Sequence, residues 1–294
     1  MPCRTYVFRG FGTVPWGVVR VALAVAGTAV ALAGPAFAQV PGRLDARYTV
    51  TLAGLPIGKG AWVIDIAEDQ YTAAASGATA GLMRVFSSGQ GSGASRGYIV
   101  GGLPVPASFG ASITTDKKTD EIRMMLQGGN VKDYVITPPS PPNPERVPIT
   151  EEHRRGVSDP MSASFYRVPG NANPLGPEAC PRAVSVFDGR LRYDLTFSFK
   201  RMERVRAEKG YDGPAVVCSI NFFPLAGYIP SRTAIKYLIE LKDMEVWLVP
   251  IAATRVVVPF RVAIPTPIGL GVMQATQFVT HVQPPRASLG PRTQ

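Results

Sequence analysis

Side chains able to act as nucleophiles, general bases or metal ligands are sparse in this sequence. The chain has two histidines, His153 in a charged loop and His281 at the end of the last predicted strand. A zinc site needs three or four ligands, which two separated histidines do not supply. Acidic pairs such as Glu151-Glu152 and Glu68-Asp69 fall in predicted loops or at strand ends, where acids are usually solvated. We therefore predict no catalytic residues, no metal and no cofactor, and a protein that is not an enzyme.

Two glycine-rich segments come near to functional motifs without meeting their requirements. Gly89-Gln90-Gly91-Ser92-Gly93 lacks the residue order of G-x-S-x-G and lies in a strand-rich region with no strand-to-helix elbow. The stretch from Gly54 to Gly60 joins two predicted strands, and no Lys-Ser or Lys-Thr pair opens a helix after it. We predict neither a serine-hydrolase site nor a phosphate loop.

The cysteines of the exported chain form an even pair. Cys3 lies in the N-terminal export signal described below, which leaves Cys180 and Cys218. An even pair in an exported protein is most simply a structural disulfide. Two buried thiols or a redox pair are the alternatives, and the lack of a C-x-x-C motif argues against the redox pair.

The N-terminal residues have the pattern of a secretory signal peptide. Arg4, Arg9 and Arg20 precede an apolar run, Val21 to Leu32, which ends in Gly34-Pro35-Ala36-Phe37-Ala38. We predict that residues 1–38 are removed after Ala38, although an uncleaved anchor is the alternative. The apolar run is shorter than the roughly 20 residues of a membrane-spanning helix. We expect a periplasmic product with no transmembrane anchor after cleavage.

The charge of the product suggests few specific partners. Loss of three arginines lowers the formal charge from +10 to +7, and the remaining basic residues are dispersed. Such a protein adheres to an anionic envelope polymer or is simply soluble. No nucleic-acid-binding motif is present, so we expect no nucleic acid partner.

The elements that position these residues are mostly short strands with apolar and polar residues in alternation. This pattern predicts a mainly β fold, an antiparallel curled sheet forming an open barrel or spiral, with one or two short helices. Predicted strands cover Arg47–Leu52, Gly60–Ile66, Gln70–Ala78, Gly91–Val100, Val105–Thr114, Glu121–Gln127, Val131–Thr137, Ala183–Phe187, Arg190–Phe199, Lys200–Lys209, Val216–Phe223, Val246–Ile251, Val256–Ile264 and Ile268–Val279.

Helices and turns interrupt the strands at a few positions. Asp159 and Pro160 are suited to open a helix over Met161 to Tyr166, and helical spacing favours a second helix over Ser231 to Leu241. A short helical piece is also expected over 80–87. Turns are predicted at Gly54 to Gly58, at Asp188-Gly189 and at Tyr211-Asp212-Gly213.

The domain organisation depends on a proline-rich stretch at 138–148. It either divides two domains or forms a long loop across one fold, and we prefer the loop. We predict one β-rich domain over 39–283 and a disordered tail over 284–294. Four aromatic residues on predicted strands either pack in its core or line a cavity: Trp62, Trp247, Tyr193 and Phe197.

Taken in order, the strand motifs resemble the DUF3108 family of exported bacterial proteins, from about Arg47 to Phe278. This resemblance implies a β-rich periplasmic protein with no catalytic residues to carry over. The scaffold is also similar to the open β-spirals of lipoprotein carriers and envelope-integrity proteins. The resemblance rests on Tyr48, Gly54 to Gly58, Tyr71, Gly81-Leu82, Ser95-Arg96-Gly97, Leu103 to Pro106, Asp159 to Ala163, Val186 to Arg190, Tyr193-Asp194, Cys218, Pro224 to Tyr228 with Gly227, Val246 to Leu248 and Val258 to Arg261.

These observations leave three functional hypotheses. The first is a periplasmic scaffold that binds an apolar ligand, a lipid, or a peptide in envelope maintenance. The second is a cell-surface interaction module that adheres to anionic polymer. The third is an envelope hydrolase, which would need acids or His153 to converge in a cleft.

Overall fold

Alternating burial along the strands explains why these segments form a sheet with one buried face. In the first strand Leu44, Ala46 and Tyr48 are buried, and the side chains between them face solvent in part. Trp62 and Ile64 repeat this pattern in the second strand. Since side chains alternate between faces with a period of two, one apolar face results.

The computed structural model describes residues 41–282, apart from 68, 82–87, 117 and 171–172. Over these residues it contains fifteen strands and one α-helix, α1 Thr233–Glu240. The strands are β1 Gly42–Leu52, β2 Leu55–Ile66, β3 Gln70–Thr79, β4 Gly89–Val100, β5 Leu103–Thr115, β6 Thr119–Gln127, β7 Asn130–Thr137, β8 Tyr166–Arg167, β9 Arg182–Phe187, β10 Arg192–Arg206, β11 Lys209–Gly210, β12 Asp212–Ala226, β13 Met244–Pro250, β14 Val256–Thr266 and β15 Gly269–Val282.

The strands form one large sheet in the order β7-β6-β5-β4-β3-β2-β1-β15-β14-β13-β12-β10-β9. Neighbouring strands in this order are antiparallel. The two short strands that the order leaves out are β8, which pairs with β14, and β11, which pairs with β15. The end strands β7 and β9 are not paired with each other, so the sheet is open. The predicted fold class, an antiparallel sheet with few helices, is confirmed.

The sheet is strongly curled, because side chains from its two ends touch. In a flat sheet of this order β7 and β9 would lie more than about 50 Å apart, at the usual strand spacing. Instead the rings of Tyr134 in β7 and Phe187 in β9 lie 5.3 Å apart. Arg190, just after β9, forms an ion pair of 3.1 Å with Asp120 in β6.

The connection between β7 and β9 spans the gap between the two ends. We call residues 157–168 the inner segment, because most of its side chains are buried. The amide of Val157 donates to the Gly129 carbonyl beside β7 at 2.7 Å. The Ser158 amide donates to the Ser185 carbonyl of β9 at 2.8 Å, and the Phe187 amide of β9 donates to the Ser158 carbonyl at 2.9 Å. The segment ends in β8, which pairs with β14.

The predicted helix over Met161 to Tyr166 is wrong. Only a single 3-10 turn forms, over Ser162–Ser164. Phe165 is extended and fully buried, and Tyr166 belongs to β8. Packing of Phe165 and strand pairing of Tyr166 therefore override the local helix signal.

Three other boundaries differ from the sequence prediction. The predicted strand over Lys200 to Lys209 is the second half of β10 as far as Arg206, and Lys209 belongs to β11. The first turn is confined to Ala53-Gly54, so that Gly58 lies within β2. Asp212 and Gly213 open β12 instead of forming a turn. By contrast, the Asp188-Gly189 turn between β9 and β10 and a helix within Ser231 to Leu241 are confirmed.

The proline-rich stretch at 138–148 contains no strand or helix and packs back onto the sheet. The Val147 amide donates to the Tyr228 carbonyl at 2.9 Å, and the Gly227 amide donates to the Val147 carbonyl at 2.8 Å. The predicted signal peptide at 1–38, the tail at 284–294 and most of the helical piece at 80–87 lie outside the described residues. No helix in the described part of the chain is long and apolar enough to cross a membrane.

Candidate functional site

The inner segment anchors the main core through Phe165. This ring lies edge-on to Tyr71 of β3, with centroids 5.1 Å apart, and 6.2 Å from Trp62 of β2. All three side chains are buried. The contacts fix the segment against the inner face of the sheet and set the position of Asp159, six residues earlier.

Asp159 is the centre of a buried polar cluster. Its Oδ1 accepts the backbone N–H groups of Met161 at 2.9 Å and Ser162 at 3.0 Å. Its Oδ2 accepts the hydroxyls of Ser162 at 2.5 Å and Ser95 at 2.9 Å. The Tyr71 hydroxyl lies 2.6 Å from that of Ser162. We call Asp159, Ser162, Ser95 and Tyr71 the aspartate cluster.

Desolvation governs the protonation of this cluster. Burial raises the pKa of Asp159, and the four hydrogen bonds to its carboxylate oppose that shift only in part. Burial likewise raises the pKa of Tyr71. The cluster joins segments from three of the family motifs, around Tyr71, around Ser95 and around Asp159. No sequence spacing could have shown this contact, since β3, β4 and the inner segment meet only in the folded sheet.

A cleft of about 520 Å³ opens beside the aspartate cluster. One wall is the tip of the β4–β5 hairpin, from Val100 to Pro106, and the other is the start of β9, from Arg182 to Ser185. Residues 156–165 contribute its floor through Val157, Ser162 and Phe165. The volume is within the range of small-molecule sites. Most of the lining side chains are aliphatic, proline or aromatic.

Arg182 is the charged residue of this cleft. Its guanidinium carbon lies 4.0 Å from the ring centre of Tyr166 and 5.0 Å from that of Phe197. Its Nη2 donates to the Ala163 carbonyl at 2.5 Å. Burial lowers the pKa of Arg182 to about 10. Sequence reasoning missed this residue, because nothing in the local pattern marks a half-buried arginine without an acidic partner.

None of the four aromatic candidates lines this cleft, and two of them, Tyr193 and Phe197, are half-buried. Trp62 and Trp247 are buried, and Trp247 Nε1 donates to Glu203 at 2.6 Å. Tyr193 packs on Phe222, with ring centres 5.3 Å apart. Phe197 comes nearest to the cleft, through its contact with Arg182.

The motif turns have local structural roles. Asp188 Oδ1 accepts the amides of Arg190 and Leu191 at 2.7 and 2.6 Å. Gly54, Gly189 and Gly227 have positive φ, which favours glycine. Pro160 follows Asp159 and precedes the 3-10 turn.

The disulfide and the histidines lie apart from the cleft. The Cys180–Cys218 bond is formed and joins the loop before β9 to β12. His153 is exposed in part and contacts Thr150, and His281 lies 3.9 Å from Asp45 with 57% of its side chain exposed. Among the described residues, no group of three or more His, Cys, Asp or Glu side chains could hold a metal ion.

Comparison with known proteins gives a family and one distant structural likeness. The family model described as "Protein of unknown function (DUF3108)" matches residues 47–276, and no curated protein matches. One similar solved structure is a β-barrel-like protein with a domain of unknown function, DUF1849, from Brucella abortus. It shares 11% sequence identity at a TM-score of 0.40, over 83% of this chain and 98% of that chain. The chain belongs to the DUF3108 family.

Proposed function

We propose that this protein is a periplasmic scaffold that binds a small apolar ligand in the cleft between the β4–β5 hairpin and β9, in maintenance of the cell envelope. The observation that carries the proposal is the cleft itself, whose walls include Val105, Pro106 and Phe165. At its mouth Val100 and Leu103 are 61% and 56% exposed. Exposed aliphatic side chains that continue into an apolar cleft favour apolar binding.

Another cleft is larger but less suited to this role. It measures about 620 Å³ and lies on the solvent-facing side of β1–β5. Arg47, Lys59 and small residues such as Ser76 line it. Its walls offer little apolar side-chain surface, which such a ligand needs.

A cleft-blocking variant tests the binding site. Ala183 is exposed and lines the cleft, so Ala183→Trp should fill it without crowding the core. Ala74 is an exposed strand alanine outside the cleft, so Ala74→Trp is the matched control. With the neutral fluorophore N-phenyl-1-naphthylamine, we expect Ala183→Trp to lose about tenfold or more in affinity, or about 1.4 kcal/mol, and Ala74→Trp to bind as wild type does. Equal binding by both variants, or no binding to wild type, would overturn the proposal.

The proposed compartment is supported by the export pattern of residues 1–38 and by the disulfide, which persists in oxidising compartments. Cell fractionation followed by mass spectrometry of the intact protein tests it. We expect a periplasmic product that begins at Gln39. A full-length chain in the cytoplasm would contradict this location.

A further inference from the structure

Arg182, a half-buried arginine that lines the cleft, has no acidic partner among the residues that the structure describes. No carboxylate of these residues lies within ion-pair distance of its guanidinium, and partial burial lowers the pKa of this group. Removing a charge from water without pairing it is costly. The two stacked rings and the Ala163 carbonyl compensate only in part.

Two polar atoms at the cleft lack hydrogen-bond partners. Arg182 Nη1 is buried, and none of the described residues accepts a hydrogen bond from it. The Ser158 hydroxyl is also without a partner in the described part of the chain, and this residue is 8% exposed. Both residues line the same cleft. A buried donor with no acceptor destabilises the fold unless another group supplies one.

Several other buried or half-buried arginines of this protein are neutralised by acids. Arg201 makes paired bonds of 2.9 and 3.0 Å to Glu245. Arg192 contacts Asp194 at 2.7 Å, and Arg190 contacts Asp120 at 3.1 Å. Arg182 differs from these three in lacking an acid and in facing an apolar cleft.

We propose that the ligand is a single-chain amphiphile with an anionic head, whose carboxylate or phosphate pairs with Arg182 while its apolar chain lies against the β4–β5 hairpin tip. This inference rests on the proposed function and specifies its ligand class. A guanidinium fork fits two oxygens of either head group. Since Nη1 is covered, the guanidinium must turn toward the cleft as the anion binds. The Ser158 hydroxyl is covered in the same way and becomes a further donor when this movement uncovers it.

Titration calorimetry on the full mature protein, with probes of equal chain length, tests the choice of head group. The probes are dodecanoate, dodecyl phosphate and dodecanol, each below its micelle concentration. We expect one or both anions to bind about tenfold or more tightly than the alcohol, because a charge-assisted pair replaces a neutral contact. The anion that binds with the higher affinity identifies the head group. Binding of dodecanol at the same affinity as both anions would overturn this inference and leave the proposed function standing. Binding of none of the three probes would overturn both.

A matched pair of variants tests whether Arg182 is responsible for the preference for the anionic probes. We expect Arg182→Met to lose most of the preference for the anion, measured in the same variant as the ratio of anion affinity to dodecanol affinity. Arg261 also stacks on an aromatic ring, with its guanidinium carbon 4.7 Å from the Trp247 ring centre, but lies outside the cleft. Arg261→Met should therefore retain the full preference. An unchanged preference in Arg182→Met would contradict the proposal.

A more conservative variant covers the case in which Arg182→Met fails to fold. Arg182→Lys retains the charge but cannot form the paired hydrogen bonds of a guanidinium. We expect a partial loss of the anion preference, measured as the ratio of anion affinity to dodecanol affinity. Full wild-type preference in Arg182→Lys would count against the paired geometry and overturn the assignment.

Discussion

Asp159 shows how far local sequence can predict a residue's role. Its position before Pro160 predicts a cap, and its Oδ1 does accept two backbone amides. Its Oδ2 binds Ser95, which lies 64 residues earlier in the chain. That contact depends on the register of β4 against the inner segment, which no local pattern contains. The same limit applies to Arg182, whose partial burial results from contacts with Tyr166, Phe197 and Ala163.

The raised pKa of Asp159 predicts a specific pH dependence of stability. The folded protein binds the proton of this carboxyl more tightly than the unfolded chain, whose pKa is about 3.9. Its contribution to stability is therefore fully present below that pKa and is lost as pH rises through the folded pKa. Urea unfolding measures the free energy of unfolding of wild type and of Asp159→Asn. We expect the wild-type value minus the variant value to fall as pH rises from 4 to 7. Because Asn is neutral and nearly the same size, it removes the titration with little change in shape. A difference that stays constant or grows over this range would contradict the prediction.

Gly54 and Gly227 have nearly equal positive φ angles but different surroundings. Replacing each with alanine therefore distinguishes the cost of backbone strain from the cost of a steric clash. A Cβ added at Gly54, where φ is +81°, would meet no other atom within 4 Å, whereas at Gly227, with φ +82°, it would lie 1.9 Å from the Arg190 carbonyl oxygen. We expect Gly54→Ala to cost about 1–2 kcal/mol, as is usual for a left-handed alanine. Gly227→Ala should cost more than about 3 kcal/mol, because the β9–β10 turn must also move. Chemical denaturation measures both values, and equal costs would show that the contact at Gly227 relaxes freely.

The disulfide stabilises the connection between the loop before β9 and the β12 strand. Cys180 and Cys218 are separated by 38 residues. For a loop of that size the chain-entropy model gives about 4 kcal/mol. We expect the Cys180→Ala/Cys218→Ala double variant to lose this amount in urea unfolding and to melt roughly 10 °C lower. A loss below about 1 kcal/mol would contradict a structural role for the bond.

At the level of elements, period-two alternation located most strands correctly because the sheet has one buried face. It divided one strand into two where charged residues begin. The predicted strands over Arg190–Phe199 and Lys200–Lys209 both fall on β10, which pairs with β12 along its length. The prediction failed for residues 161–166, where local helix signals and long-range packing both act and packing prevails.

At the scale of the whole molecule, the inner segment determines where a ligand can bind. It joins the two ends of the open sheet through Gly129 on one side and Ser185 on the other. The cleft lies where this segment meets the β4–β5 hairpin and β9. The alternating strand pattern predicts the curled sheet and the possibility of a cavity. It could not predict the cleft's position, because segments that are far apart in the sequence form it.

Photo-crosslinking with a neutral probe tests the central claim, that apolar ligands bind in this cleft, most directly. A dodecanol analogue that carries a diazirine on its chain would be irradiated with the folded protein, and the labelled peptides identified by mass spectrometry. The account predicts labels within residues 100–106, 156–165 and 182–185, which line the cleft, and their loss in Ala183→Trp. Labels confined to the solvent-facing side of β1–β5, around Lys59 and Ser76, would contradict it.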